Sequence, residues 1–214
     1  METNKFTLYA YPFPSRAERV LWALKEFDYP YDIIRLDPLK GETATEEFIG
    51  LNPSGKVPVL IHDGRVFTES LAIMEYLNDL SENKKLIPSD PISAFNYRKA
   101  VHYGLTEIEP YLWIAEQATR LKPLYSWPEG TYEDAISQVK ENIKAVWPWV
   151  STSKYIVDNK FTLADIYFYQ LIVWAKRHKI DCPQEVTEYI QKLEARTCFP
   201  VEMTGNGARA TTTP

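Results

Sequence analysis

Cysteine is nearly missing from this chain: Cys182 and Cys198 are the two thiols among 214 residues. Their spacing fits neither a metal knuckle nor a disulfide framework, which leaves buried or idle thiols of a reducing compartment. Histidine is as sparse. His62, His102 and His178 stand in no arrangement that makes a ligand set or a catalytic base, so no metal is expected. Positive charge is not in excess either. A net charge of −5 without any Lys/Arg cluster excludes a nucleic-acid surface. No window approaches the roughly 18 apolar residues of a spanning helix. Met1-Glu2-Thr3-Asn4-Lys5 leads into a strand-like run with no apolar signal region. The expectation is a cytoplasmic protein without membrane or nucleic-acid partners. Against these absences, a hydrophobic content of 45% and a charged content of 25% are ordinary globular values. The length allows one large domain or two small ones.

The segment from Lys56 to Ser70 carries the most information. Pro58 opens the apolar run Val57-Pro58-Val59-Leu60-Ile61, where a central strand would not tolerate it. Asp63-Gly64 then turns the chain into a second β-prone run, Arg65 to Thr68, a strong hairpin signal. Pro58 forces extended geometry on Val57, whose main chain is left to pair outside the sheet. Directly after the hairpin, Glu69-Ser70 starts a helical pattern with Leu71, Ile73, Met74 and Leu77 apolar. Ser70 reads as its N-cap, and a helix N-terminus attracts anions. An exposed strand edge beside a helix start suits an extended, peptide-like ligand that bears carboxylates.

Elsewhere the first third alternates strand and helix signals. Phe6 to Tyr9 and Tyr31 to Leu36 read as strands, Arg16 to Phe27 as a helix and Thr45 to Leu51 as a short one. That order predicts a small mixed sheet flanked by helices, an α/β thioredoxin-like domain over residues 1–80. Residues 81–91 turn polar and proline-bearing, which marks a linker. Residues 92–204 carry helical signals only and predict an all-α domain, followed by a disordered tail over 205–214. Within the helical part, Thr162-Leu163-Ala164-Asp165 has the form of a capping box.

The ordered string Asn52-Pro53-x-Gly55-Lys56-Val57-Pro58-Val59-Leu60, then Phe67-Thr68-Glu69-Ser70-x-Ala72-Ile73-x-x-Tyr76-Leu77, resembles the glutathione-binding half of the cytosolic glutathione transferases. The resemblance implies a cis Val57–Pro58 bond, with the Val57 main chain paired to the cysteinyl part of glutathione. It implies that Glu69 and Ser70 hold the γ-glutamyl end, and that Lys56 is available to the glycyl carboxylate. Glutathione would be the co-substrate, a small hydrophobic electrophile the second substrate, and the protein a homodimer. Tyr11, Phe13, Tyr103 and Trp113, with Trp127, are candidates for the second-substrate pocket; each also suits plain core packing.

The loop after the first strand, Tyr9-Ala10-Tyr11-Pro12-Phe13-Pro14-Ser15-Arg16, decides catalysis. The serine or cysteine used by theta-, phi-, zeta- and omega-like classes falls on Pro14, which cannot activate a thiol. Ser15 follows it, and a Pro followed by a small polar residue is similar to the nu and Ure2-like proteins. Ser15 is therefore the candidate catalytic residue, with Tyr11 or Tyr9 as alternatives. Ser15-Arg16-Ala17-Glu18 also matches a capping box, so Ser15 as a helix cap remains open. Three readings follow: a conjugating transferase, a glutathione-dependent disulfide or peroxide reductase or isomerase, and a non-enzymatic interaction module. Pro14 favours the last, and the intact Val57-Pro58 and Glu69-Ser70 set opposes it.

Overall fold

Phe6, Leu8 and Ala10 are the buried positions of β1 (Phe6–Ala10), so alternate residues commit one face of this strand to a core. The computed structural model describes residues 5–11, 15–151 and 153–201. These fall into two units. The first gathers residues up to Lys85 together with those from Arg196 onward, and the second runs over Leu86–Ala195.

In the first unit β1 is joined by β2 (Tyr31–Arg35), β3 (Val59–His62) and β4 (Arg65–Thr68) in the order β2-β1-β3-β4. The β1–β2 pair is parallel, and its crossover is the helix α1 (Ala17–Glu26); the β1–β3 and β3–β4 pairs are antiparallel. The expected hairpin forms. Asp63 and Gly64 both take positive φ, +48° and +71°, as the tight two-residue turn demands. The short helix α2 (Glu46–Leu51) is capped by Thr45, whose hydroxyl accepts from the Phe48 N–H at 3.3 Å. A last helix, α3 (Ser70–Leu80), follows β4 directly. Leu8, Val20, Leu24, Val59, Leu60, Met74 and Leu77 are wholly buried and form the core of this unit.

The Glu26 side chain at the end of α1 is completely enclosed. Arg196 meets it with two bonds, Nε to Oε1 at 2.9 Å and Nη2 to Oε2 at 3.0 Å; Lys84 Nζ and Trp22 Nε1 complete the set. Burial pushes this carboxyl up, but the Arg196 and Lys84 bonds and charges outweigh it and hold it below the usual range. This clamp, with the Trp22–Phe199 ring contact at 5.0 Å, accounts for the return of Arg196 and its followers to the first unit. The helical part expected from the sequence extends to 204, whereas the second unit ends at Ala195. The segment 205–214 lies outside the described residues.

The second unit is helical: α4 (Pro91–Tyr103), α5 (Glu109–Ala118), α6 (Thr131–Ile143), α7 (Trp147–Ser151), α8 (Leu163–Arg177) and α9 (Gln184–Glu194). Its described residues hold an isolated bridge, Val157 to Lys160, and no strand. Asp90 caps α4 through the Ser93 N–H at 2.9 Å, with Pro91 at the first position. Residues Leu163 to Ile172 of α8 are all buried. The capping box at its start is present, and Asp165 does more than close it. This fully buried carboxylate accepts from the N–H of Thr162 and of Ile156 and from the hydroxyls of Thr162 and Tyr189. Burial still pushes its carboxyl up against those bonds. Between α4 and α5 the chain makes a π-helical turn over Gly104–Ile108. A side chain at Gly104 would overlap the Tyr167 ring of α8, so glycine is what permits this approach.

Candidate glutathione site

One end of the four-stranded sheet collects the chemistry. Val59 pairs with Thr68, so one further step of the antiparallel register brings Pro58 level with Glu69, with Val57 and Ser70 next along their chains. Tyr9 pairs with Val59 on the other side, and the same step brings Ala10 level with Pro58. The helices α1 and α3 start at this end too, so the positive poles of two helix dipoles face the same region.

Val57–Pro58 is cis, as expected. The main chain of Val57 makes no hydrogen bond among the described residues, while Pro58 beneath it is buried. The loop ahead of it is fixed by Asn52, 7% exposed, whose Nδ2 donates to the Lys56 carbonyl at 2.7 Å and whose Oδ1 accepts from the Ser54 N–H at 3.1 Å. Gly55 takes φ +61° in the same loop. Lys56 itself is exposed.

Glu69 has φ +67° and ψ +108°, a region that a residue with a Cβ enters only under strain. Such strain concentrates where a structure holds a group in place for a ligand. Its carboxylate is exposed and makes no ion pair or hydrogen bond among the described residues. Ser70 corrects one expectation: it is the first helical residue of α3, not its cap. Its Oγ accepts instead from Nη1 of Arg19 at 3.3 Å. Arg19 is only 1% exposed. Sequence reasoning missed it, since an arginine on an amphipathic helix reads as solvated. The available signal was its place four residues after Ser15, on the face of α1 that begins at the loop after β1.

Ser15 Oγ accepts from the Ala17 N–H at 3.2 Å, so it does serve the start of α1. The helix cap proper is Arg16, and the full capping box with Glu18 is not formed. The bond to Ala17 uses a lone pair, and the hydroxyl proton makes no bond among the described residues. Tyr11 is half-buried at the end of β1, Tyr9 packs its ring 5.8 Å from Phe48, and Phe13 and Pro14 lie outside the described residues.

In the helical unit Tyr103 donates to the Asn142 carbonyl at 2.8 Å and meets the Trp149 ring edge-on. Trp113 packs edge-on against Tyr125 and Trp174. The two stand ten residues apart on one helical run, about 15 Å along its axis, each with its own aromatic neighbours. An open cleft of about 960 Å³ lies between the end of α5 and the start of α6, with Thr119, Lys122, Tyr125, Trp127, Tyr132 and Glu133 among its walls. No helix among the described residues is long and apolar enough to cross a membrane, and no cluster there is arranged to hold a metal.

A mixed sheet with a cis proline at the start of an inner strand, followed by a helical unit, defines a two-part protein with a thioredoxin-like first half. The comparisons with known proteins agree. Residues 4–79 match the model of the glutathione S-transferase N-terminal domain, and residues 113–197 that of its C-terminal domain. Glutathione S-transferase 1 of Dianthus caryophyllus is 32% identical over 80% of this chain and 78% of its own length. A probable maleylacetoacetate isomerase of Caenorhabditis elegans is 31% identical over 85% of this chain and 84% of its own. The solved structure of a glutathione transferase homolog from Sulfitobacter, with bound glutathione, superposes with a TM-score of 0.78 at 24% identity, covering 96% of this chain and all of that one. The chain belongs to the glutathione S-transferase family.

Proposed function

We propose that this protein binds glutathione at the cis-proline end of its sheet and transfers the thiolate to an electrophilic small molecule. The observation that carries the reading is the meeting, at one sheet end, of groups that are each open to a partner. These are the Val57 main chain, the Glu69 carboxylate, and the Ser15 hydroxyl proton. In this reading Glu69 takes the γ-glutamyl ammonium, Ser70 the neighbouring carboxylate, Val57 the cysteinyl backbone and Lys56 the glycyl carboxylate. Ser15 donates to the sulfur. A free thiol with a pKa of about 8.5 is mostly protonated at neutral pH, and only the thiolate is a good nucleophile. Each step of one pKa unit takes about 1.4 kcal/mol of preference for the thiolate. One charge-assisted hydrogen bond at the α1 N-terminus is of that size. The thiolate sulfur then bonds to the electrophilic carbon, and the displaced electron pair leaves with the departing group or passes to the adjoining atom of an activated double bond.

The helical unit offers the second substrate aromatic surface at Trp113, Tyr125 and Trp127. A cytoplasmic homodimer is the assembly we propose, supported by the exposure of Ile92 at 72% and Phe95 at 60% on α4. Sedimentation at micromolar concentration should give twice the chain mass of 24.8 kDa; a monomer defeats the proposal. A second reading, glutathione-dependent isomerisation, is favoured by the relatives named as maleylacetoacetate isomerases. Retention on immobilised glutathione, followed by conjugation of a model aryl halide, tests the main reading. Retention without conjugation, together with isomerisation of a cis-enedione acid, would select the second. Failure to be retained would leave an interaction module.

A further inference from the structure

We infer that Arg19 is a positioning residue of the γ-glutamyl site, holding the Ser70 hydroxyl so that its single proton faces the ligand's carboxylate. This rests on the glutathione reading and adds to it a residue that none of the site motifs names. Arginine is almost never wholly enclosed without a specific partner, yet Arg19 is 1% exposed and spans from α1 to the first residue of α3. A guanidinium has only donors to offer. Its bond to Ser70 Oγ therefore consumes a lone pair and cannot take the serine proton, which stays available to an acceptor. The α-carboxylate of an amino-acid head group is such an acceptor. Charge points the same way: the guanidinium and the N-terminus of α3 both favour an anion at Ser70. The Glu69 carboxylate beside it favours the accompanying ammonium. The pair of subsites thus fits a zwitterionic α-amino-acid end, with Arg19 setting the orientation of the anion half without touching the reacting sulfur.

The test uses the full chain and compares two probes by competition, glutathione and cysteinylglycine, which lacks the γ-glutamyl group. Arg19→Met should weaken glutathione by about tenfold or more, the size of a lost charge-assisted contact, and leave cysteinylglycine within about twofold. In a Ser70→Ala background the same change should cost less than about twofold, since the effect runs through the serine hydroxyl. Arg19→Lys, which keeps the cation and its donors, should recover most of the affinity, while Arg19→Gln should not. If the Met variant fails to fold, the Lys and Gln pair carries the comparison, and equal glutathione affinities for those two overturn the inference. So do parallel losses for both probes, or losses that add in the double variant. A wild-type protein that ignores glutathione removes the underlying reading as well. A wild type that binds it, with Arg19 variants that bind equally well, removes only the role of Arg19.

Discussion

At Ser15 the two readings left open by the sequence turn out not to compete, because a hydroxyl has both lone pairs and a proton. The lone-pair side is taken by the Ala17 N–H, so Ser15→Ala should cost about 1 kcal/mol of stability as a lost cap. If the proton also serves the glutathione sulfur, the same variant should raise the bound thiol's pKa and lower turnover, with glutathione affinity nearly intact. Ultraviolet thiolate absorbance of the complex against pH reads this directly; an unmoved titration would remove Ser15 from catalysis and point to Tyr11. Glu116 makes a different prediction. Burial pushes its carboxyl up, but His178, Arg120 and Trp174 outweigh that and bring it from an ordinary 4.5 to about 2. Trp174 Nε1 donates at 3.0 Å, whereas His178 Nε2 at 3.6 Å lies just beyond a hydrogen bond and acts as neighbouring charge when protonated. A carboxyl depressed in the folded state stabilises above its unfolded pKa and loses that stabilisation as pH falls through the folded value. Here the contribution, on the order of 3 kcal/mol, should fade between about pH 5 and 2. Urea denaturation of wild type and Glu116→Gln across that window checks it: the variant should show a shallower acid loss. The ordered string around them made Val57, Pro58 and Glu69 candidates. It could not announce Arg19 or the Glu116 cluster, whose meaning depends on which distant side chains they meet.

Elements were legible where their causes are local. The Asp63-Gly64 hairpin follows from a turn that needs positive φ twice, and α1 and α3 from apolar residues at helical spacing, so both came out within a residue or two of their observed bounds. The capping box of α8 was equally plain. What the pattern hid was the π-helical turn at Gly104–Ile108, where the Tyr167 ring of a helix some sixty residues away packs against Gly104. Gly104→Ala tests that close approach. The added methyl should force α4 and α8 apart and cost about 1–3 kcal/mol by overpacking. In a chain of this size that lowers the melting temperature by roughly 2–4 °C per kcal/mol. A variant melting with wild type would show that the ring gives way freely. Asp165→Ala should be harsher. It strands the buried N–H groups of Ile156 and Thr162 and the Tyr189 hydroxyl, each worth about 1–3 kcal/mol when left unsatisfied. Chemical denaturation that found less than about 2 kcal/mol would mean water reaches the site.

For the whole molecule, the division into a sheet-bearing first part and a helical second part was written in the change of pattern after residue 80. The return of the chain near its end was not, because nothing local in Arg196-Thr197-Cys198-Phe199 distinguishes a helix tail from a segment that closes a different unit. Its role there rests on the enclosed Glu26 carboxylate together with the Trp22–Phe199 ring contact. Arg196→Met should cost about 3–5 kcal/mol, the usual penalty for breaking a buried ion pair, and Trp22, bonded to the same Glu26, is a fluorescent reporter beside it. Fluorescence unfolding at the wild-type urea concentration would show that Lys84 and Trp22 suffice to hold Glu26. The same clamp sets a timetable for the newborn protein. Glu26 and its partner Arg196 are separated by 170 positions, and a ribosome adding about 5–20 residues per second needs roughly 10–30 s to cover them. For the part of that interval after Lys85 is made, the first unit has its acid and lacks the Arg196 guanidinium. The half of the protein that is made first is therefore the half that is finished last.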